Sequence, residues 1–140
     1  MNLRKLTGYG MMVAGLLSMA ASAKAAPKTE SPFACVESAL NPAERKQHFD
    51  EYGPQLRKVL TDIRELPTGY EFTFRNDPAT YQVLSAWMYQ ERLCCPFFDL
   101  DLTIGREGGP LHLRLTGREG VKQFIVAEFE PWFQKTKAKS

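Results

Sequence analysis

Cysteine is scarce in this chain and histidine scarcer, with three of the first and two of the second in 140 residues. Too few remain for two spaced C-x-x-C pairs, the strongest sequence mark of a structural zinc site. The chain also lacks an H-E-x-x-H zinc helix, a Gly-rich phosphate loop and a nucleophile elbow, so no catalytic constellation is expected. A charge excess is missing too: 18 basic residues stand against 16 acidic ones, a net +2. Nucleic-acid binders need a marked basic surplus, so this balance argues against such a partner. His48 and His112 fall on a helix and on the polar face of a strand, where surface histidines are ordinary.

Long apolar runs are absent except near the start. Arg4 and Lys5 precede an apolar stretch from Met11 to Ala21, and small residues follow it to Ala23-Lys24-Ala25. This is the order of a secretory signal peptide, with cleavage expected after Ala25, or alternatively after Ala23. A retained anchor would need about 20 apolar residues, more than this run supplies. The expectation is therefore an exported protein, periplasmic or secreted, with residues 1–25 as signal. Those residues hold Arg4, Lys5 and Lys24 and no acid, so 15 basic residues then face 16 acidic ones and the mature net charge becomes −1.

What remains suits one domain with a modest core. Residues 26–34 read as a flexible leader, 35–134 as the domain, and 135–140, with Lys135, Lys137 and Lys139, as a frayed basic tail. Asn41-Pro42-Ala43-Glu44 has the form of a capping box with proline at the first helical position. The helix it opens runs toward Tyr52, meets Gly53-Pro54, and resumes through Leu56, Val59, Leu60 and Ile63 at helical spacing. Tyr70, Phe72 and Phe74 alternate as a strand. Asn76-Asp77-Pro78 opens a second helix, with Tyr81, Leu84, Met88, Glu91 and Cys95 on one stripe and Pro96 as its stop. Leu100, Leu102 and Ile104, then Leu111, Leu113 and Leu115, form two further strands across a hairpin. Val121, Phe124, Ile125 and Phe129 face a final helix inward, ending near Pro131. The order α-β-α-β-β-α implies a small α/β domain of the α+β type, a three-stranded sheet with helices packed on one face.

Glu91-Arg92-Leu93-Cys94-Cys95-Pro96-Phe97-Phe98, followed by the strand end Leu113-Arg114-Leu115-Thr116-Gly117, resembles a group of small, uncharacterised bacterial proteins sharing E-R-x-C-C-P-F and then L-x-L-T-G. The resemblance spans about Asn41 to Phe129. It implies that Glu91, Arg92, Cys94, Cys95 and Pro96 act as one local unit, and carries no activity with it.

Chemistry has to come from the residues. Adjacent thiols on a regular helix point about 100° apart, too far to share an ion. Pro96 pushes Cys95 out of the helical conformation, which lets both sulfurs converge on a soft metal or metalloid such as Cu(I), Hg(II) or Zn(II). Glu91, three and four residues earlier, reaches either sulfur as ligand or base. Cys94, Cys95 and Glu91 are thus the candidate metal ligands, and a soft metal ion the candidate cofactor. Against this stands plain packing, since unpaired cysteine behaves as a small buried hydrophobe. Cys35 adds a third possibility: in an oxidising compartment it bridges Cys94 or Cys95 and leaves one thiol over. A thiol-disulfide protein, or an interaction domain contacting a protein partner through an exposed aromatic end at Trp132 and Phe133, are the alternatives.

Overall fold

A computed structural model describes residues 29–138; residues 1–25, expected to be a signal, lie outside them. A 3-10 turn at Glu37–Ala39 leads to helix α1 (Pro42–Lys46), a π-helical segment (Gln47–Tyr52) and α2 (Gly53–Val59). Strands β1 (Leu60–Leu66) and β2 (Gly69–Phe74) follow, then α3 (Pro78–Cys94), β3 (Asp99–Ile104), β4 (Leu111–Thr116), α4 (Val121–Glu128) and α5 (Glu130–Lys137). The fold is mixed α/β, as expected, but its sheet has four antiparallel strands in the order β1-β2-β4-β3 rather than three.

The extra strand is β1, which the spacing of Leu56, Val59, Leu60 and Ile63 assigns to a helix. A bulge between Leu60 and Asp62 explains the false period. The inserted residue puts Leu60 and Ile63, three apart, on the same face of the strand, opposite Phe74 and Phe72. Elsewhere the period-2 reading holds. Phe72, Phe74, Leu111, Leu113 and Leu115 are buried on one face, against which the helices lay Leu84, Trp87, Ile125, Phe129 and Trp132.

Both helix openings follow their sequence signals. The Asn41 side chain accepts from the amides of Ala43 and Glu44, and Glu44 accepts from the Asn41 amide at 2.9 Å. Asp77 caps α3 by accepting from the Thr80 amide at 2.9 Å. That amide, with Arg75 and the Thr80 hydroxyl, holds the Asp77 carboxyl down to about 2. The buried stripe of α3 is Thr80, Leu84, Trp87, Gln90, Glu91 and Cys94; it shares Leu84 and Glu91 with the expected one but is centred toward Trp87 and Cys94, so Tyr81 is exposed.

Both ends of the domain are more tightly held than their composition suggests. From Glu30 on, the leader is docked. Phe33 meets Phe97 edge-on at 5.2 Å and stacks at 6.2 Å on Phe124. Arg118 lies 4.0 Å over the Phe33 ring and pairs with Glu30 at 3.0 Å. Gly120, at φ +95°, is what admits that ring, since a Cβ there would sit 2.8 Å from Phe33 Cε2. At the other end Pro131 starts α5 instead of ending a helix, because proline at the first turn loses no bond. The tail is helical through Lys137, and Lys135 donates to the carbonyls of Arg57, Lys58 and Leu60. Trp132 is buried and Phe133 packs on the core, so the aromatic end expected to meet a partner is part of the interior.

On the open sheet face Arg64, Glu71, Arg114 and Asp101 align across all four strands with alternating charge. Arg64 and Arg114 donate to Glu71 at 2.9 and 2.8 Å. Burial alone would raise the Glu71 carboxyl; the bonds from Arg114 and Arg64, with the charges of Arg64 and His112, outweigh it and hold it below its usual value. A carboxyl lowered by folding contributes stability above its unfolded value, about 4.3, and loses it as the pH falls through that range and below. Glu71→Ala is therefore expected to lower stability at pH 7 by about 1–3 kcal/mol and to flatten the acid limb of a denaturant-midpoint profile. An acid limb as steep as that of the wild type would refute this role.

Candidate functional site

The α3 helix ends where Pro96 dictates. Cys95 leaves the helical region (φ −121°, ψ 68°) while its amide still donates to the Glu91 carbonyl. This turn brings the Cys94 and Cys95 sulfurs to 3.6 Å, the convergence expected of vicinal cysteines at a broken helix end. Cys95 is disulfide-bonded to Cys35, with Cα atoms 4.8 Å apart, and Cys94 is the free thiol. Both adjacent cysteines are fully buried at 0 % exposure, while Cys35 is half-buried.

Glu91 turns into the core. It is 3 % exposed, and its Oε2 lies 3.7 Å from Cys94 Sγ and 2.8 Å from Nε2 of His48. His48 is 2 % exposed and stands outside the set the sequence nominated. Its position follows from Pro54, which has no amide to donate four residues back and whose ring crowds the helix there. The chain widens into π-helical turns, and the Gly53 amide reaches five residues back to the His48 carbonyl. The imidazole lies nearly parallel to Trp87, centroids 5.2 Å apart and planes 8° apart. Its Nδ1 has no hydrogen-bond partner among the described residues. A sequence signal did exist: His48, Tyr52 and Leu56 recur every four residues, a polar residue on an otherwise core-facing stripe.

Two donor sets meet at one atom. His48, Glu91 and Cys94 offer nitrogen, oxygen and sulfur within 4.8 Å of one another, and Cys35, Cys94 and Cys95 offer three sulfurs within the same limit. With metal–sulfur and metal–oxygen bonds of about 2.3 and 2.1 Å, a tetrahedral ion has S···S and O···S edges of about 3.8 and 3.6 Å. The observed 3.6 and 3.7 Å are close to these. The His48–Glu91 contact of 2.8 Å is shorter than the about 3.4 Å edge an ion would require, so that hydrogen bond would open to admit one.

A cavity of about 140 Å³ adjoins the site, lined by Cys35, His48, Glu91, Trp87, Arg57 and Glu128, with Cys94 sealed behind them. Glu128, at the mouth, has its carboxyl raised by partial burial and then by the charges of Glu91 and Glu37. The same carboxylates act on Cys94. Burial pushes its thiol up to about 12, with the charge and hydrogen bond of Glu91 next and Glu128 and Glu37 adding to them. At neutral pH Cys94 is a protonated thiol and a poor nucleophile.

Among the described residues no helix is long and apolar enough to cross a membrane. No protein-family model, curated protein or solved structure matches the chain.

A thiol raised by folding stabilises the fold at pH values below its unfolded value, about 8.5, and that contribution is lost as the pH climbs toward 12. The wild type should therefore lose stability between about pH 9 and 12 more steeply than Cys94→Ala in parallel denaturant titrations. Identical alkaline slopes would show that Cys94 is not held protonated by the fold. Iodoacetamide at pH 7 should leave the thiol of the native protein unmodified and react with it after denaturation.

Proposed function

We propose that this protein binds a thiophilic metal ion at Cys94, with Glu91 and His48 completing the donor set while Cys95 is held in its disulfide. One observation carries the reading: three unlike donor atoms, from a thiol, a carboxylate and an imidazole, converge in the core, two of them from His48 and Glu91 in the wall of a cavity. Packing alone gives little reason for that. A core needs only volume at these positions, and burying polar groups without full pairing costs about 1–3 kcal/mol each. The mixed N/O/S set suits borderline and soft divalent ions such as Zn(II) and Cd(II). Glu37 and Glu128 add negative charge around the thiol, which favours a cation in place of its proton.

Export belongs to the same proposal. A disulfide between Cys35 and Cys95 is the form cysteines take in an oxidising compartment, and the signal-like start would deliver the chain there, to the periplasm or medium. The competing reading is a packed structural cluster. Its support is the disulfide itself, which ties the docked leader to the end of α3 and serves stability with or without metal.

Equilibrium dialysis with elemental analysis of the disulfide-intact protein separates the two. One equivalent of Zn(II) or Cd(II) per chain is expected, and Cys94→Ser, Glu91→Gln and His48→Ala should each weaken it at least about 10–100-fold. Metal at about one hundred times Kd should also raise stability by about 2.7 kcal/mol. Wild-type binding no tighter than that of a Cys94→Ser/His48→Ala double variant would leave packing as the function of the cluster.

A further inference from the structure

We propose that the Cys35–Cys95 disulfide gates a second binding mode: once reduced, Cys35, Cys94 and Cys95 together capture one trivalent metalloid ion as a tris-thiolate. This rests on the reading of Cys94 as a metal-binding sulfur and names a further ligand class and its control.

Geometry comes first. The three sulfurs lie within 4.8 Å of one another, and the Cys94–Cys95 separation is 3.6 Å. Cutting the disulfide does not release Cys35, because its flanks are held independently. The Val36 amide donates to the Cys94 carbonyl at 2.6 Å, and Phe33 is wedged among Phe97, Phe124 and the Arg118 guanidinium. The three thiols therefore remain gathered after reduction, so chelation does not have to supply the ordering.

Accessibility sets the order of events. Cys35 is half-buried and lines the cavity, whereas Cys94 and Cys95 are sealed. A dithiol reductant, entering as a thiolate, attacks the Cys35 sulfur and expels the Cys95 thiolate, which takes up a proton. The second reductant thiol then closes on the mixed disulfide and releases Cys35. Two electrons and two protons pass from the dithiol, which leaves as a cyclic disulfide, to the protein, which gains two thiols.

Charge selects the ligand. Three thiols and arsenious acid condense without change of oxidation state, As(OH)₃ + 3 Cys–SH → As(S–Cys)₃ + 3 H₂O, and the product is neutral. A divalent ion on three thiolates would carry a net negative charge, largely buried and facing Glu91, Glu37 and Glu128. That is the costlier species to bury. The all-sulfur mode thus favours trivalent arsenic or antimony, and the N/O/S mode divalent ions.

Arsenite is the probe. The mature chain is reduced with a phosphine, freed of reductant, mixed with arsenite and measured by native mass spectrometry and by protection from alkylation. One arsenic atom should replace three hydrogens per chain, with all three cysteines protected, and the disulfide form should take up none. Cys35→Ser, which in the reduced protein removes a half-buried thiol and no cross-link, should lower arsenite affinity by about 10²–10⁴-fold. Cys94→Ala, checked for native circular dichroism, should do the same. His48→Ala should weaken Zn(II) binding by the disulfide form at least about 10-fold. Equal arsenite uptake by both redox forms, or by Cys35→Ser, would overturn the gate. Zinc binding without arsenite binding overturns this inference alone; loss of both overturns the metal reading beneath it.

Discussion

Pro96 has no amide hydrogen, and its ring crowds the residue before it, so α3 cannot continue through Cys95. Much of the molecule follows from that local constraint. A helix end leaves its last carbonyls without partners, and the Cys94 carbonyl is satisfied by the Val36 amide from the leader. Cys95, thrown out of the helix, meets Cys35 on the same leader segment. Cys94, still helical, keeps its sulfur toward Glu91. One proline thus divides two adjacent cysteines into a cross-link and a thiol, and draws the chain N-terminal to α1 over the helix end.

The magnitudes say what this arrangement can bear. A disulfide closing a 60-residue separation is worth about 4 kcal/mol in the chain-entropy account. The polar cluster beside it works the other way: His48 Nδ1 has no partner among the described residues, and such a group costs about 1–3 kcal/mol. The cross-link therefore outweighs the polar burial next to it, so the fold tolerates a site whose donors are not all satisfied. Trp87 adds to this by stacking on the imidazole and meeting Phe129 and Trp132 in the core. It fixes the ring plane through packing, alongside the hydrogen bond between His48 Nε2 and Glu91.

Where chemistry is local, the sequence reads well. The capping box at Asn41, the Asp77 cap, the stop at Pro96 and the alternation of Tyr70, Phe72 and Phe74 each depend on residues a few positions apart, and each is found. The failures have physical causes. The β1 bulge gives Leu60 and Ile63 a helical spacing while keeping them on one sheet face. Pro131 is equally compatible with ending a helix and with beginning one. His48 escapes because its partner Glu91 is 43 residues away, and no local pattern encodes that distance. For Cys35 the alternatives could be named but not decided: bonding to Cys94 or to Cys95 depends on which sulfur the turn at Pro96 presents to the leader. Of the candidate site, Cys94, Cys95, Glu91 and their convergence are legible; for His48 only its place on a core-facing stripe is, not its partner, and the cavity is not.

Because Cys94 belongs to both donor sets, the proposed modes are mutually exclusive at the level of one atom. An ion held by His48, Glu91 and Cys94 withdraws that sulfur from the three-thiol set, and an ion on three sulfurs denies it to His48 and Glu91. Binding equilibria linked through a shared group are reciprocal. If divalent ions prefer the disulfide form, they must make the disulfide harder to reduce, and if trivalent metalloids prefer the thiol form, they must make it easier. For a two-electron couple each tenfold preference moves the balance by about 30 mV. The coupling needs no moving lid or domain, only the short distances among Cys94, Cys95 and Glu91 that the end of α3 imposes.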